Sequence, residues 1–213
     1  MTVEFNFKKR PYTLSVDVDN TIADYSGGVK DYIIDNNPGL SESDFPPLSD
    51  YCFVKSKWPT LATLQDYQAT HVNAAEEMFL ANLRTYTGAV EALETLHDNG
   101  VFIRIVTHRL FARGIHRKSV DSTALWLDKN NIPYDELCFS GRKSDIVSDA
   151  LIDDSMSNIN EWRDVHGNGD NPRRPAFIFD QPYNRDYSHD PFYVLNWEDG
   201  LDKILAHKER IGK

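Results

Sequence analysis

Two carboxylates one residue apart, Asp17 and Asp19, stand directly after a strand-like run from Tyr12 to Val16. Thr107 closes a second such run that starts at Val101. Lys143 lies ten residues before Asp153, and the pair Asp153-Asp154 closes a third run from Ala150 to Ile152. In an open parallel sheet, ligands bind in the crevice outside the carboxyl ends of the strands. Carboxylates, a hydroxyl and an ammonium delivered there from separate elements could hold a divalent cation and a phosphate side by side. Hard oxygen ligands suit Mg²⁺, which is usually bound by one or two carboxylates together with waters and phosphate. Two adjacent acids at a strand end are otherwise unfavourable, unless a cation sits there.

Phosphate monoesters resist hydrolysis because the anion repels an incoming nucleophile. A carboxylate beside a metal ion can attack phosphorus and form an aspartyl phosphate. A second acid two residues on can protonate the leaving oxygen and later take a proton from the attacking water. On this reading Asp17 is the nucleophile and Asp19 the general acid/base. The Thr107 hydroxyl and the backbone N–H of His108 would bind a phosphate oxygen. Asp154 would ligate the metal directly, with Asp153 as its outer support. Each group also has a plainer reading. Asp17–Asp19 and Asp153–Asp154 could be helix-capping pairs, Thr107 an N-cap and Lys143 a solvated surface lysine. Those readings leave the ordered set unexplained.

The elements that must position these groups follow from periodicity and punctuation. Lys8 to Pro11 lead into the first strand. Ile22 to Asn36 reads as a helix, with Val29, Tyr32 and Ile33 on one face, and it stops at Asn36-Asn37-Pro38-Gly39. Leu40 to Trp58 is irregular, and Thr60 to Arg84 reads as a helical stretch broken once. Helices are expected at Gly88–Asp98, Lys118–Lys129, Ser155–Val165 and Glu198–Arg210. Strands are expected at Val101–Thr107, Glu136–Phe139, Asp149–Ile152 and Pro175–Phe179, with an edge strand at Tyr193–Leu195. His166 to Arg174 reads as a polar loop. This alternation predicts an α/β fold with a doubly wound parallel sheet. Residues 25–85 are expected to form a small helical insertion over the crevice, with the core in 1–24 and 86–213.

Bulk properties narrow the function. A chain of 213 residues with 40% hydrophobic and 26% charged residues suits one α/β domain carrying an insertion. The net charge of −10 disfavours nucleic acid polymers, whose binding rests on basic surfaces. A small phosphorylated substrate needs only local cations. No apolar run approaches the ~20 residues of a membrane span, and Met1 to Arg10 lacks an apolar signal core. Cys52 and Cys138 are too few for a disulfide scaffold. The expectation is a cytoplasmic protein with reduced cysteines and no membrane partner; a homodimer is left open.

The order and spacing of the four segments resemble the haloacid dehalogenase (HAD) superfamily of aspartate-nucleophile phosphatases. The stretch from Asp17 to Gly28, DVDNTIADYSGG, is similar to the opening of the 5′(3′)-deoxyribonucleotidases. Leu151-Ile152-Asp153-Asp154, Lys143 at its distance from them, and Phe179-Asp180-Gln181-Pro182-Tyr183-Asn184-Arg185 resemble later segments of that family. Leu40 to Arg84 is weakly matched. The resemblance implies a Rossmann-like HAD sheet with a helical cap, Mg²⁺ as cofactor and nucleoside monophosphates as substrates. It adds the Asp19 backbone carbonyl to a metal site made by Asp17 and Asp154, with Asp153 as the outer support. It makes Lys143 the group that neutralises the phosphate and the aspartyl intermediate. It places Tyr25 where the family has an aromatic that stacks on the base.

Phe53 and Trp58 are candidate partners from the insertion, because every base offers a π-face; lid packing is their plainer reading, as it is for Tyr25. Arg109 could contact the nucleotide or pair with a surface acid. Asn20 stands where many relatives have glycine, and Asn is a next-best residue if φ is positive there. His71, His116, His166 and His189 show no metal-ligand spacing and read as surface or locally hydrogen-bonded. Two other readings stay open: a phosphatase of a sugar phosphate or phosphorylated cofactor, and a nucleotide-binding protein without turnover. A dehalogenase fits less well, because Asp19 supplies the acid/base that phosphoryl transfer needs.

Overall fold

The computed structural model describes residues 11–167 and 172–213. Lys8 to Arg10 and the middle of the polar loop after His166 lie outside the described residues. Among the described residues, six strands form one parallel sheet: β1 (Tyr12–Val16), β2 (Val101–Thr107), β3 (Glu136–Phe139), β4 (Ala150–Asp153), β5 (Ala176–Phe179) and β6 (Tyr193–Val194). Their order is β3-β2-β1-β4-β5-β6, parallel at every pairing. The order reverses between β1 and β4, which opens a crevice at the carboxyl ends of those two strands. All five residues of β1 and all four of β4 and β5 are buried, as expected where helices cover both faces of a parallel sheet.

Alternation divides the core. Ile152, Phe177 and Phe179 join the larger apolar cluster, which includes Leu93 and Leu96 of α3 (Ala89–Asp98) and Ile204 of α6 (Trp197–Arg210). Leu151, Ala176 and Ile178 face the other way, against Ile159 and Trp162 of α5 (Met156–His166). Trp126 of α4 (His116–Lys129) belongs to the larger cluster and donates its indole N–H to the Leu83 carbonyl at 2.8 Å.

Between β1 and the helix before β2 the chain makes a long excursion through α1 (Tyr25–Asn36) and α2 (Leu64–Glu76). Its two ends are tied together. Asp24 N donates to Arg84 O at 2.9 Å and Tyr86 N to Ile22 O at 2.8 Å, around an antiparallel bridge between Ala23 and Thr85. Helix α1 starts at Tyr25 rather than Ile22. The Val18 carbonyl first collects the N–H groups of Ile22 and Ala23, and the Asp24 side chain then caps the helix through Gly27 N at 2.8 Å. The double glycine after that cap has a steric cause. A Cβ on Gly27 would lie 2.1 Å from Asp24 Oδ2, and one on Gly28 would lie 2.4 Å from Leu83 Cδ2. The break expected in Thr60–Arg84 falls at Met78, whose φ of 60° ends the helical run. The apolar residues Phe45, Phe53, Trp58 and Leu61 merge with the sheet's larger cluster rather than forming a core of their own.

Candidate functional site

Register sets the floor of the site. Val16 of β1 pairs with Ile152 of β4, and Asp17 N donates to Ile152 O at 3.0 Å, so Asp17 and Asp153 emerge side by side. Lys143 sits in a short 3₁₀ turn after β3 and reaches between them. Its Nζ lies 2.5 Å from Asp17 Oδ1 and 2.6 Å from Asp153 Oδ2, and the residue is only 3% exposed. This excludes the solvated-lysine reading. Asp153 is held further by Ser155 N at 2.9 Å and by the Asn158 amide at 3.1 Å to each carboxylate oxygen. Asp154 accepts a short hydrogen bond from the Tyr183 hydroxyl, and its backbone carbonyl accepts one from Asn184 Nδ2 at 2.9 Å.

Asp17, Asp153 and Asp154 each offer an oxygen within 4.8 Å of the others, and all three are buried. One ammonium does not balance three carboxylates out of water, so the cluster has a built-in demand for a cation. The electrostatics express that demand. Burial, with Asp153 and Asp19 adding repulsion, raises the Asp17 carboxyl to about 7 against the pull of Lys143. Burial and the neighbouring Asp153 and Asp17 raise Asp154 well above the usual carboxylate range. Burial alone would lower Lys143, but Asp153 and Asp17 together overcome it and hold the ammonium charged. Hard oxygens and excess negative charge fit a divalent cation such as Mg²⁺.

Asp19 lies one turn of loop away. Arg109 holds its carboxylate by both arms: Nη2 to Oδ1 at 2.6 Å and Nε to Oδ2 at 3.0 Å. The guanidinium is 1% exposed, donates to Thr123 Oγ1 at 3.1 Å and lies against the Trp126 ring. Arg109 therefore faces inward and does not line the cleft, which corrects its expected place against a ligand. Asn20 has φ of 59°, the left-handed conformation that its position suggested. Thr107 is buried, and its Oγ1 has no partner among the described residues. An orphan hydroxyl beside Asp17 and Lys143 suits a phosphate oxygen.

Above this floor opens a cleft of ≈ 540 Å³. Asp17, Asp19, Thr107, His108 and Lys143 line its polar end, and Tyr25 and Phe53 line its apolar wall. Trp58 does not reach it. That indole donates to the Pro46 carbonyl at 2.8 Å and packs behind Phe53, with ring centroids 5.0 Å apart. The wall also contains groups the sequence reading left without a role: Tyr51, Tyr67, His71 and Phe111. Leu64, Tyr67 and His71 share one face of α2 at i, i+3, i+7 spacing, a periodic signal that was there to be read. His71 is neither a surface residue nor locally bonded: it is buried, and its Nδ1 lies 2.7 Å from Oη of Tyr25, 46 residues away.

Burial lowers the His71 imidazole to about 4, from an ordinary value of 6.5. The unfolded chain therefore takes up this proton first. The neutral ring's contribution is complete above about pH 6.5 and is lost as pH falls towards 4. Relative to His71→Gln, the wild type should lose roughly 3 kcal/mol of unfolding free energy over that interval. Urea titrations of both proteins between pH 4 and 7.5 measure it; a constant difference would contradict the assignment.

Residues 11–210 match the family model described as 5′ nucleotidase, deoxy (pyrimidine), cytosolic type C. A Chlorobaculum tepidum protein named "Putative 5′(3′)-deoxyribonucleotidase" is 30% identical over 203 residues, covering 93% of this chain and 92% of that one. Among solved structures, a HAD-superfamily hydrolase of subfamily IA from Geobacter sulfurreducens superposes with a TM-score of 0.51 at 12% identity, over 91% of this chain and 96% of its own. A structure from Clostridium difficile named "Putative Phosphatase" gives 0.54 at 18%, over 92% and 100%. These structures establish the fold as HAD-like. With its sequence matched from the first strand to the last helix, the chain belongs to the cytosolic type C 5′-nucleotidase family of phosphomonoester hydrolases.

Proposed function

We propose that the chain is a Mg²⁺-dependent phosphatase that releases inorganic phosphate from nucleoside monophosphates, with Asp17 as nucleophile. The observation that carries this reading is the buried Asp17–Lys143–Asp153–Asp154 cluster, whose Asp17 and Lys143 line a cleft with an aromatic wall. Asp17, Asp154 and the Asp19 backbone carbonyl would hold the cation, with Asp153 behind them gripping Lys143. The bound cation supplies neutralisation of the phosphate oxygens.

The chain's own groups do the rest. Lys143 occupies Asp17 Oδ1, which leaves Oδ2 as the attacking oxygen. A bond forms from Oδ2 to phosphorus as the ester bond breaks, and Asp19 gives its proton to the leaving alkoxide. Water then attacks phosphorus, Asp19 takes the proton back, and the Asp17 carboxylate is restored. Arg109 holds Asp19 as an ionised carboxylate, so Asp19 must leave that pair and take a proton from solvent before it can serve the leaving group. The Thr107 hydroxyl and the His108 backbone N–H would steady the phosphate at the polar end of the cleft.

The aromatic wall favours a nucleotide over a sugar phosphate. Tyr25 and Phe53 would contact the base, with Tyr67 and Phe111 continuing the same wall. Residues 25–85 would act as the cap, hinged where Ala23 meets Thr85. Steady-state phosphate release tests the reading. Deoxyribo- and ribonucleoside monophosphates should exceed sugar phosphates in kcat/KM, and chelation should abolish release from all of them. Preference for sugar phosphates would leave the mechanism standing and remove the substrate class. Tight nucleotide binding without release would favour a silent binding protein.

A further inference from the structure

The segment after β5 grips both carboxylate loops of the site. Gln181 Nε2 donates to the Asn20 carbonyl at 2.8 Å, and Asn184 Nδ2 donates to the Asp154 carbonyl at 2.9 Å. Between them, Tyr183 Oη meets two side chains, Asn20 Nδ2 at 3.2 Å and the Asp154 carboxylate. Tyr51 packs edge-on against the Tyr183 ring, with centroids 5.9 Å apart.

The direction of each hydrogen in this chain of contacts can be deduced. The side-chain oxygen of Asn20 accepts from Ser26 N at 2.9 Å and from Ser26 Oγ at 2.6 Å. A backbone N–H only donates, so the Asn20 oxygen must face Ser26 and its NH₂ must face Tyr183. The Tyr183 oxygen then accepts from Asn20, and its single hydrogen is left for Asp154 Oδ2. One Asp154 oxygen is thereby tethered, and the carboxylate offers an oxygen within 4.8 Å of those of Asp17 and Asp153.

We infer that Tyr183 is a positioning residue that orients Asp154 as a cation ligand, and that Asn20 sets the direction of its hydrogen bond. This inference rests on the reading of Asp154 as a metal ligand. It assigns a role to Asn20, the residue that departs from the glycine of many relatives. Outer partners of this kind pre-orient a ligand, and losing one typically costs about 10–100-fold in metal affinity.

The test is calorimetric titration of the full chain with Mg²⁺ alone, without substrate. Tyr183→Phe should weaken Mg²⁺ binding by about 10–100-fold. Asn20→Gly, which keeps the left-handed backbone, should weaken it less and in the same direction. The double variant should lose no more than Tyr183→Phe alone, because the two residues act in series. Raising Mg²⁺ should restore turnover in Tyr183→Phe, which a merely structural residue would not allow. Wild-type affinity in both single variants would overturn the positioning role and leave the metal reading intact. Failure of the wild type itself to bind Mg²⁺ would remove the metal reading and this inference together.

Discussion

Asp17→Asn is expected to lose about 10⁵- to 10⁶-fold in turnover, the scale on which removal of an essential nucleophile acts. The substitution keeps the shape of the side chain and its place between β1 and β4. The amide cannot attack phosphorus to give an acyl phosphate that water then hydrolyses. The fold should survive, because the substitution removes one of three clustered buried carboxylates, and Lys143 keeps its pairing with Asp153. Single-turnover phosphate release, with circular dichroism of the variant, makes the check. Residual turnover within a hundredfold of wild type would assign the nucleophile elsewhere.

Lys143→Met should be the most damaging single change to stability in the site. Lys143 is the ammonium bridging Asp17 and Asp153 in a region closed to water. Removing one partner of a buried ion pair leaves charge uncompensated and costs about 3–5 kcal/mol. The loss should be greatest in chelator, where no cation takes over part of the ammonium's role. Combining it with Asp153→Asn should return part of the stability, since one of the stranded carboxylates is gone. It should not return turnover, because no ammonium then faces the phosphate. Urea midpoints for the single and double variants separate the two effects; a Lys143→Met protein as stable as wild type would contradict the buried bridge.

The strands were legible because short strand-like runs ending in Asp or Thr announce both the element and its functional end. Asp17, Thr107 and the Asp153-Asp154 pair could be placed at strand termini for that reason, and the sheet order brings those termini together. What stayed hidden depends on side-chain direction across long separations. Arg109 is 90 residues from Asp19, and nothing local says that its guanidinium turns inward under Trp126. Trp58 had the right chemistry for a base, but its indole N–H found the Pro46 carbonyl and turned the ring away. Tyr67 and His71 carried a helical spacing, although a polar–aromatic stripe resembles an ordinary packing face. Tyr183 stood inside a recognised segment without a role, because its two partners come from different strand ends.

The measurement that bears most directly on the central claim is Mg²⁺-dependent phosphate release from nucleoside monophosphates by wild type and Asp17→Asn side by side. The account predicts rapid release by the wild type, none in chelator and none from the variant with metal. Equal release by both proteins, or release that ignores chelation, would contradict it.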